Sequence, residues 1–405
     1  MLRDLLASDL LCYPTTIHIG DRTLESTGWD DDRYYDWRDF PVDRSKVHIS
    51  GVDQALNSMS QDLEPLLTAC PYLKEQDALK PCVLKEGDVG ATLGFLLTLL
   101  PNLTSIYFYD YGSTSDGSEN LNTIARNIVA ASRASERPGT QSLSKLTHMT
   151  ITGSERDETG TTRDLAFYWP FFHLPSLRSL RGQYMNANDN DWSYARLCSY
   201  IEELDFDQSF IDHRSFDTYL KDLKNLRKFR YNRVDSIDWG GGDCPLRHLV
   251  QSLVQYAGNS LQTLDVSVDV YTSKPAHVGS YFVGTLKALQ ALEYLIVGGP
   301  MFMESANIQP SHPALPNIRI HRLIDLLPPS IVRVDFTSGV ERRRGTAMLA
   351  GLPDSKKEQL PSLKAIQFPN RLCKTSESER ETKRAFCDAG IVLTTGDQKF
   401  IDPLR

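Results

Sequence analysis

The sequence lacks the features that would place it in a membrane or on nucleic acid. Its 405 residues carry 44 Lys and Arg against 52 Asp and Glu, and the net charge of −8 disfavours a strongly basic nucleic-acid binder. The apolar stretch from Leu93 to Leu100 ends at Pro101. It is shorter than the roughly 17 to 25 residues that cross a bilayer. With 40% hydrophobic and 24% charged residues, the composition is that of a globular protein.

Cysteine usage argues against a disulfide scaffold. The cysteines are odd in number and form no C-x-x-C pair, so neither a zinc site nor a disulfide framework is predicted. Acidic residues at Asp4 and Asp9 interrupt the apolar run that a signal peptide needs. We therefore expect an intracellular protein, cytoplasmic or nuclear. The seven cysteines are Cys12, Cys70, Cys82, Cys198, Cys244, Cys373 and Cys387.

Motifs that carry catalysis are also missing. The nine histidines are scattered, and the sequence contains no H-E-x-x-H, G-x-S-x-G or Walker phosphate loop. The glycine run from Trp239 to Asp243 is interpreted as a flexible loop, because no Gly-Lys-Ser/Thr follows it. The basic run from Glu341 to Arg344 is too short for a nucleic-acid or targeting signal and is interpreted as a solvated loop. We expect no enzyme activity, no cofactor and no metal.

What the sequence does contain is a short repeated phrase. Apolar residues recur at relative positions 0, +3 and +5, and a leucine stands at −3 in six of nine copies. Leu-Pro-x-Leu opens three copies, and Gly182 is the one exception to the apolar triplet. The copies start 24 to 43 residues apart, which predicts irregular repeats. Position 0 is occupied by Leu103, Leu146, Leu177, Ile201, Leu226, Leu261, Leu292, Ile331 and Leu363.

Helical periodicity fills the gaps between these phrases. The apolar residues from Leu246 to Ala257 recur at the helical period, and Gly258 supplies a stop. Helices alternating with short strands favour parallel pairing through right-handed crossovers. Because no single repeat can bury its apolar faces alone, we expect an α/β solenoid with a curved parallel sheet on its concave face and helices on its convex face. Four further helices are predicted at Val89 to Leu100, Leu121 to Ser132, Phe216 to Leu223 and Phe282 to Leu289.

The phrase resembles the L-x-x-L-x-L strand segment of the leucine-rich repeat family. The asparagine or cysteine that the family has three positions after the last strand apolar is absent here, so no regular asparagine ladder is expected. The long irregular repeats and the Leu-Pro-x-Leu openings look most like the repeat region of fungal F-box proteins. That resemblance implies a protein target on the concave face, with a Skp-type adaptor and a cullin as further partners of an SCF ubiquitin ligase receptor.

The F-box itself, which normally begins with a Leu-Pro-x-Glu-hydrophobic phrase, is not seen between Met1 and Ile19. A stand-alone leucine-rich repeat scaffold with no ubiquitin role therefore stays open as the alternative. We predict an N-terminal cap with early repeats over 1–88, the solenoid over 89–370 and a C-terminal cap over 371–405. Within the first part, Thr16 to Ile19 and Val47 to Ile49 are candidate strands. The segment from Gly28 to Phe40 is interpreted as a flap that covers the solenoid end or, alternatively, as an aromatic partner contact.

Charged residues concentrate at positions +1, +2 and +4 of the third to fifth phrases, which a strand directs to the concave face. In-register pairing would align basic, acidic and basic rows. One interpretation is a self-neutralising ladder, since exposed ion pairs contribute only about 0 to 1 kcal/mol. The other is a partner-binding patch of local charge +2 that selects an acidic or phosphorylated peptide. The candidate residues are Arg178, Arg181, Glu202, Glu203, Asp205, Arg227, Lys228 and Arg230.

Overall fold

Short parallel strands and helices alternate along the chain in the computed structural model. The chain forms two compact units, an N-terminal unit of Met1–Ile201 and a C-terminal unit of Glu202–Arg405. The structure describes residues 15–20, 46–49, 70, 72, 89–109, 118–134, 142–153, 163–187, 200–235, 246–270, 282–305, 318–337, 342–369, 372 and 376–396. The fold class is α/β, as the sequence predicts, with parallel strands alternating with helices.

A strand begins two residues after position 0 of every phrase, so all nine predicted strands are confirmed. The alternation of apolar and polar residues explains this, because it matches the two-residue period of a strand that is buried on one side. The nine strands are β3 (Ser105–Tyr109), β4 (His148–Thr152), β6 (Ser179–Gln183), β8 (Glu203–Ile211), β9 (Lys228–Asp235), β10 (Thr263–Val270), β11 (Tyr294–Val297), β14 (Arg333–Phe336) and β15 (Ala365–Phe368).

The N-terminal unit contains the two early strands that the sequence left as candidates, β1 (Thr16–Gly20) and β2 (Lys46–Ile49). Its parallel strands follow the order β2-β1-β3-β4-β6. A second, two-stranded parallel pair consists of β5 (Arg163–Asp164) and β7 (Met185–Ala187). Register aligns the central apolar residues, so that Ile106 of β3 stands beside Met149 of β4.

The C-terminal unit continues the same pattern. Its parallel strands follow the order β8-β9-β10-β11-β14-β15-β16, where β16 (Val392–Thr395) is a strand that no phrase predicted. Register again aligns the central apolar position, with Leu264 of β10 between Phe229 of β9 and Leu295 of β11. A short antiparallel pair, β12 (Met303–Ser305) and β13 (Ile318–Ile320), lies outside this order.

Four of the five predicted helices are confirmed with end points within a few residues, and that from Leu246 to Ala257 has the predicted bounds. The predicted helix from Phe282 to Leu289 is wrong. Gly284 has a left-handed φ of 79°, and the amide of Leu286 donates to the carbonyl of Leu326 instead of to its own turn. The helices are α1 (Val89–Thr98), α2 (Ser118–Ala134), α3 (His213–Leu220), α4 (Leu246–Ala257), α5 (Leu323–Leu326), α6 (Arg342–Met348), α7 (Leu352–Gln359) and α8 (Ser376–Asp388), with 3₁₀ segments at Leu165–His173 and Gly299–Phe302.

The solvated loop expected at Glu341 to Arg344 is also wrong, because α6 begins at Arg342. Its three arginines fall in the first helical turn, where the helix dipole disfavours cations. Packing outweighs this cost, since Met348 is fully buried and Leu349 is nearly so. One guanidinium of the run, that of Arg344, donates from Nη1 to the sulfur of Met303 at 3.6 Å.

The core lies between the sheet and the helices of each unit. All apolar residues at positions 0, +3 and +5 are buried, and each such side chain contributes about 1.5 to 3 kcal/mol through its removal from water. Phe216 of α3 illustrates the packing, because its ring contacts Phe229 and Tyr231 edge-on at centroid distances of 5.9 and 5.0 Å.

A main-chain ladder joins neighbouring repeats. The carbonyl of Thr104, at position +1, accepts hydrogen bonds from the amides of Thr147 and His148 at 2.9 and 3.0 Å. The carbonyl of Arg227 accepts the corresponding pair of amides in the C-terminal unit, at 2.8 and 2.9 Å. Backbone groups therefore connect neighbouring repeats where each strand starts. No asparagine ladder is needed for this connection.

Across the described parts of the chain, no helix has the length and apolar character needed to span a membrane. The predicted boundaries after residues 88 and 370 stay predictions. The segment from Gly28 to Phe40 and the glycine run from Trp239 to Asp243 lie outside the described residues.

Candidate protein-binding face of the sheet

Positions +1, +2 and +4 lie on the side of the sheet that faces away from the core. In β8, for example, Glu203 and Asp205 are partly exposed, whereas Leu204 and Phe206 between and beyond them are buried. None of the eight candidate residues is buried, and their role in binding a partner stays a prediction. We call this side the outward face.

The C-terminal unit brings six of the eight candidates together as three ion pairs. The distances are 3.8 Å from Nε of Arg227 to Oε2 of Glu202, 2.7 Å from Nζ of Lys228 to Oε1 of Glu203, and 3.6 Å from Nη1 of Arg230 to Oδ2 of Asp205. Direct register partners confirm the predicted alignment of the acidic row with the basic row, Glu203 with Lys228 and Asp205 with Arg230.

The other two candidates, Arg178 and Arg181, belong to the N-terminal unit. Nη1 of Arg178 donates to the carbonyls of Pro175 and Leu177 at 2.8 and 3.1 Å, and its guanidinium lies 5.4 Å from the ring centroid of Tyr200. Arg181 is on β6 in register with Thr150. Their alignment with the acidic row stays a prediction.

Asp265, at position +4 of the next phrase, is a further charged residue of the outward face that the sequence pattern did not single out. Nε of Arg230 lies 3.3 Å from Oδ2 of Asp265, so this guanidinium bridges aspartates on both neighbouring strands. The position of Asp265 at +4 could have marked it as an outward residue, but the other outward residues of this phrase, Gln262 and Thr263, are uncharged and give no charged row. The predicted net charge of +2 did not count this carboxylate.

A second row of polar contacts continues at position +6, beyond the apolar triplet. Oγ of Ser267 donates to Oδ1 of Asn232 at 3.0 Å, and Nδ2 of Asn232 donates to Oδ1 of Asp207 at 3.1 Å. The row ends at an irregularity in the pairing of β8 with β9, next to Gln208, whose φ is 46°. These contacts tie three strands together beside the ion pairs.

A third cluster on the outward face was also missed. Nε of Arg333 donates to both carboxylate oxygens of Asp335 at 2.9 and 2.8 Å, while its Nη2 donates to Oε1 of Gln367 at 3.0 Å. Asp335 is buried although it points outward. Such multiple, charge-assisted hydrogen bonds fix the guanidinium plane.

Burial raises the pKa of Asp265 from its ordinary value of 3.8 to about 6. The neighbouring carboxylates of Asp205, Asp207 and Asp335 add to the increase, and the charge of Arg230 opposes it. The pKa is raised because the loss of hydration on burial outweighs the attraction of the Arg230 charge.

The basic side chains of β9 are more exposed than the aspartates on either side of them. The side chains of Arg227, Lys228 and Arg230 are 60%, 49% and 44% exposed, whereas those of Asp205 and Asp265 are 27% and 19% exposed. The glutamates are more accessible than these aspartates, since Glu202 and Glu203 are 36% and 44% exposed. A molecule that approaches this part of the face meets the basic groups and the glutamates before it meets the aspartates.

Within the described residues, no group of three or more His, Cys, Asp and Glu side chains is arranged to hold a metal ion. What the face offers is an array of charged and hydrogen-bonding groups with fixed positions, which is suited to binding.

A family model described as a leucine-rich repeat domain matches residues 103–373, about two thirds of the chain. The matched region runs from the first apolar phrase to just past the last. The chain therefore belongs to the leucine-rich repeat family, whose domains bind protein partners and are generally not catalytic. A comparison with curated proteins gives no match.

Proposed function

We propose that this protein recognises a target protein on its outward face, as the substrate-recognition part of an F-box-type SCF ubiquitin ligase receptor inside the cell. The observation that supports target binding is the row of exposed basic side chains on β9, which are more exposed than the aspartates beside them. The ubiquitin role rests on the Leu-Pro-x-Leu openings and irregular repeats that resemble fungal F-box proteins. Catalysis would be supplied by a cullin-based ligase that a Skp-type adaptor links to this chain.

The proposed target contacts are the eight candidate residues, with Arg227, Lys228 and Arg230 as the anion-binding groups. Ion pairing within the face reduces the number of positions that these long side chains can take before a target binds. Less conformational entropy is then lost on binding. An acidic or phosphorylated segment fits, because arginine donates two parallel hydrogen bonds to a carboxylate or a phosphate.

Charge reversal tests the contact. The tagged full chain with Arg227→Glu and Arg230→Glu is compared with the wild type for each reproducible target captured from native cells. We expect at least a tenfold loss of captured target. The matched control reverses Lys224 and Arg247, which are exposed and lie in the turn after α3 and on α4, away from the outward face. Undiminished capture by the first variant, with a melting temperature equal to that of the control, would refute the proposed contact.

The ubiquitin role needs a separate measurement. Purified Skp-type adaptor is titrated into the full chain, and the proteins that co-purify from native cells are identified by mass spectrometry. Saturable adaptor binding together with co-purified cullin supports the receptor. A reproducible set of targets without adaptor and cullin identifies a stand-alone scaffold instead. A catalytic activity that Asp205→Asn abolishes in a folded protein would contradict the assignment of a binding module.

A further inference from the structure

Strand β11 interrupts the charged rows of the outward face with two apolar side chains. Ile296 stands at position +4 in register with Asp265 on one side and Asp335 on the other. Tyr294 stands at position +2 of the same strand, beside Thr263. Both are partly exposed on the outward face, and Leu295 between them is in the core.

This pair differs from the strands before it. At positions +2, +4 and +6, the described strands β8, β9 and β10 carry charged or polar residues and no apolar one. An apolar patch inside a polar rim is the usual arrangement of a binding hot spot, in which the rim excludes water from the central contact. Here the rim is fixed on both sides, by the pair of Arg230 with Asp265 and by the bonds of Arg333 to Asp335.

Distances on the face define what could bind both features at once. The exposed basic groups are on β9 and the apolar pair is on β11, two strands away. Neighbouring strands are about 4.8 Å apart, so this separation is about 10 Å. A chain in polyproline II form advances about 3.1 Å per residue with three residues per turn, so side chains three positions apart point to the same side and lie about 9 Å apart.

We propose that the target segment crosses these strands in polyproline II form and carries an acidic residue three positions from a large apolar residue, in either order. The acidic side chain binds Arg227 and Arg230, and the apolar side chain packs against Tyr294 and Ile296. This inference rests on the proposed function, since it takes the ligand to be a protein. It goes further by naming a second contact and the spacing between the two.

A displayed library of random linear 12-residue peptides tests the inference. The full chain is the bait, and one enriched peptide is labelled with fluorescein for anisotropy titrations. We expect enrichment of Asp or Glu three positions from Leu, Ile, Phe or Tyr. Affinity should fall at least tenfold for Tyr294→Ala and for Ile296→Thr, which keeps a β-branched side chain suited to a strand. Thr394→Ala, at an outward position of β16, is the matched control and should leave affinity unchanged.

The outcomes separate this inference from the proposed function. Loss of affinity in both the β11 variants and the Arg227→Glu, Arg230→Glu variant supports the inference. A peptide that carries Lys in place of its acidic residue should regain binding to the Arg227→Glu, Arg230→Glu variant. If affinity falls only for the Arg227→Glu, Arg230→Glu variant, the inference is overturned and the proposed function stands. If affinity falls neither for that variant nor for the β11 variants, both are overturned. A library that yields no binder overturns the inferred polyproline II segment, while target capture from cells still decides the proposed function.

Discussion

The outward faces of the two units differ although their strands follow one pattern. At positions +2 and +4, strands β1, β3, β4 and β6 of the N-terminal unit carry hydroxyl groups, aromatic rings and basic residues, and no acidic residue. The C-terminal unit has four acidic and three basic residues at these positions. The acidic residues are Glu203, Asp205, Asp265 and Asp335, and the basic ones are Lys228, Arg230 and Arg333.

Neutral contacts replace ion pairs in the N-terminal unit. His18 and Tyr107 are register partners whose rings stack at 4.5 Å with an interplanar angle of 4°. Oγ1 of Thr104 donates to the carbonyl of Thr15 at 2.9 Å. The comparison teaches that inward positions maintain the repeat, while outward positions are free to vary and can carry binding specificity. Four predictions test this division, from the largest expected effect to the smallest.

Truncation of a buried leucine at position 0 should lower the free energy of unfolding by a similar amount in both units. Leu146→Ala in the N-terminal unit and Leu261→Ala in the C-terminal unit both remove a fully buried side chain at position 0. We expect each to lower the free energy of unfolding by about 2 to 5 kcal/mol, measured by chemical denaturation. A cost below about 1 kcal/mol for one of them would show that the two cores are not equivalent.

The charged face should give the C-terminal unit its own pH dependence. Because the pKa of Asp265 is raised in the folded protein, the folded state binds this proton more tightly than the unfolded state. Stability should therefore fall as pH rises from about 4 to about 6, by about 3 kcal/mol at most. Asp265→Asn should remove this loss and be the more stable protein at pH 7.5, as followed by denaturation at several pH values.

Asp325 provides a control of opposite sign for that titration. The hydrogen bonds from Arg322 lower the pKa of Asp325, so its contribution is present at neutral pH and is lost as pH falls. Asp325→Asn should therefore leave the decrease between pH 4 and 6 in place. If Asp265→Asn also leaves it in place, the raised pKa of Asp265 is not its source.

Two glycines test the packing behind the faces. A Cβ on Gly258 would stand 2.5 Å from the carbonyl oxygen of Val254, and one on Gly94 would stand 2.7 Å from Cδ1 and 2.9 Å from Cβ of Ile124. Neither a carbonyl nor the Cβ of a β-branched residue can move without the backbone, so we expect Gly258→Ala and Gly94→Ala each to lower the free energy of unfolding by about 1 to 3 kcal/mol. Thermal and chemical denaturation of both variants would check these values, and a variant as stable as the wild type would contradict the prediction.

Removal of one ladder charge should have the smallest effect on stability. Lys228→Ala deletes an exposed pair with Glu203, and Ser179→Ala is the matched change at position +2 of the N-terminal unit. Both should shift the free energy of unfolding by less than about 1 kcal/mol. At high salt Lys228→Ala should be as stable as the wild type, because salt screens the ion pair that this variant lacks. A larger shift for Lys228→Ala would mean that the ladder stabilises the fold.

Sequence patterns predicted the strands better than the helices. Alternation in the apolar triplet located all nine strand starts, since burial on one face enforces a two-residue period. The helix expected at Phe282 to Leu289 failed because its apolar spacing also suits an extended segment that bonds to distant carbonyls. Gly258 did end α4 as predicted, but the reason is space, as the nearby carbonyl of Val254 leaves no room for a side chain.

The sequence by itself determined which side chains point inward and outward, because alternation along a strand depends only on local geometry. It also determined the partners within the charged ladder of β8 and β9, once register was assumed. Only the tertiary structure decided that Asp265 meets Arg230, that Asp335 is buried beneath Arg333, and that Ile296 lies between two aspartates. The first and third of these join residues far apart in the chain, and the burial of Asp335 likewise depends on how the strands pack side by side.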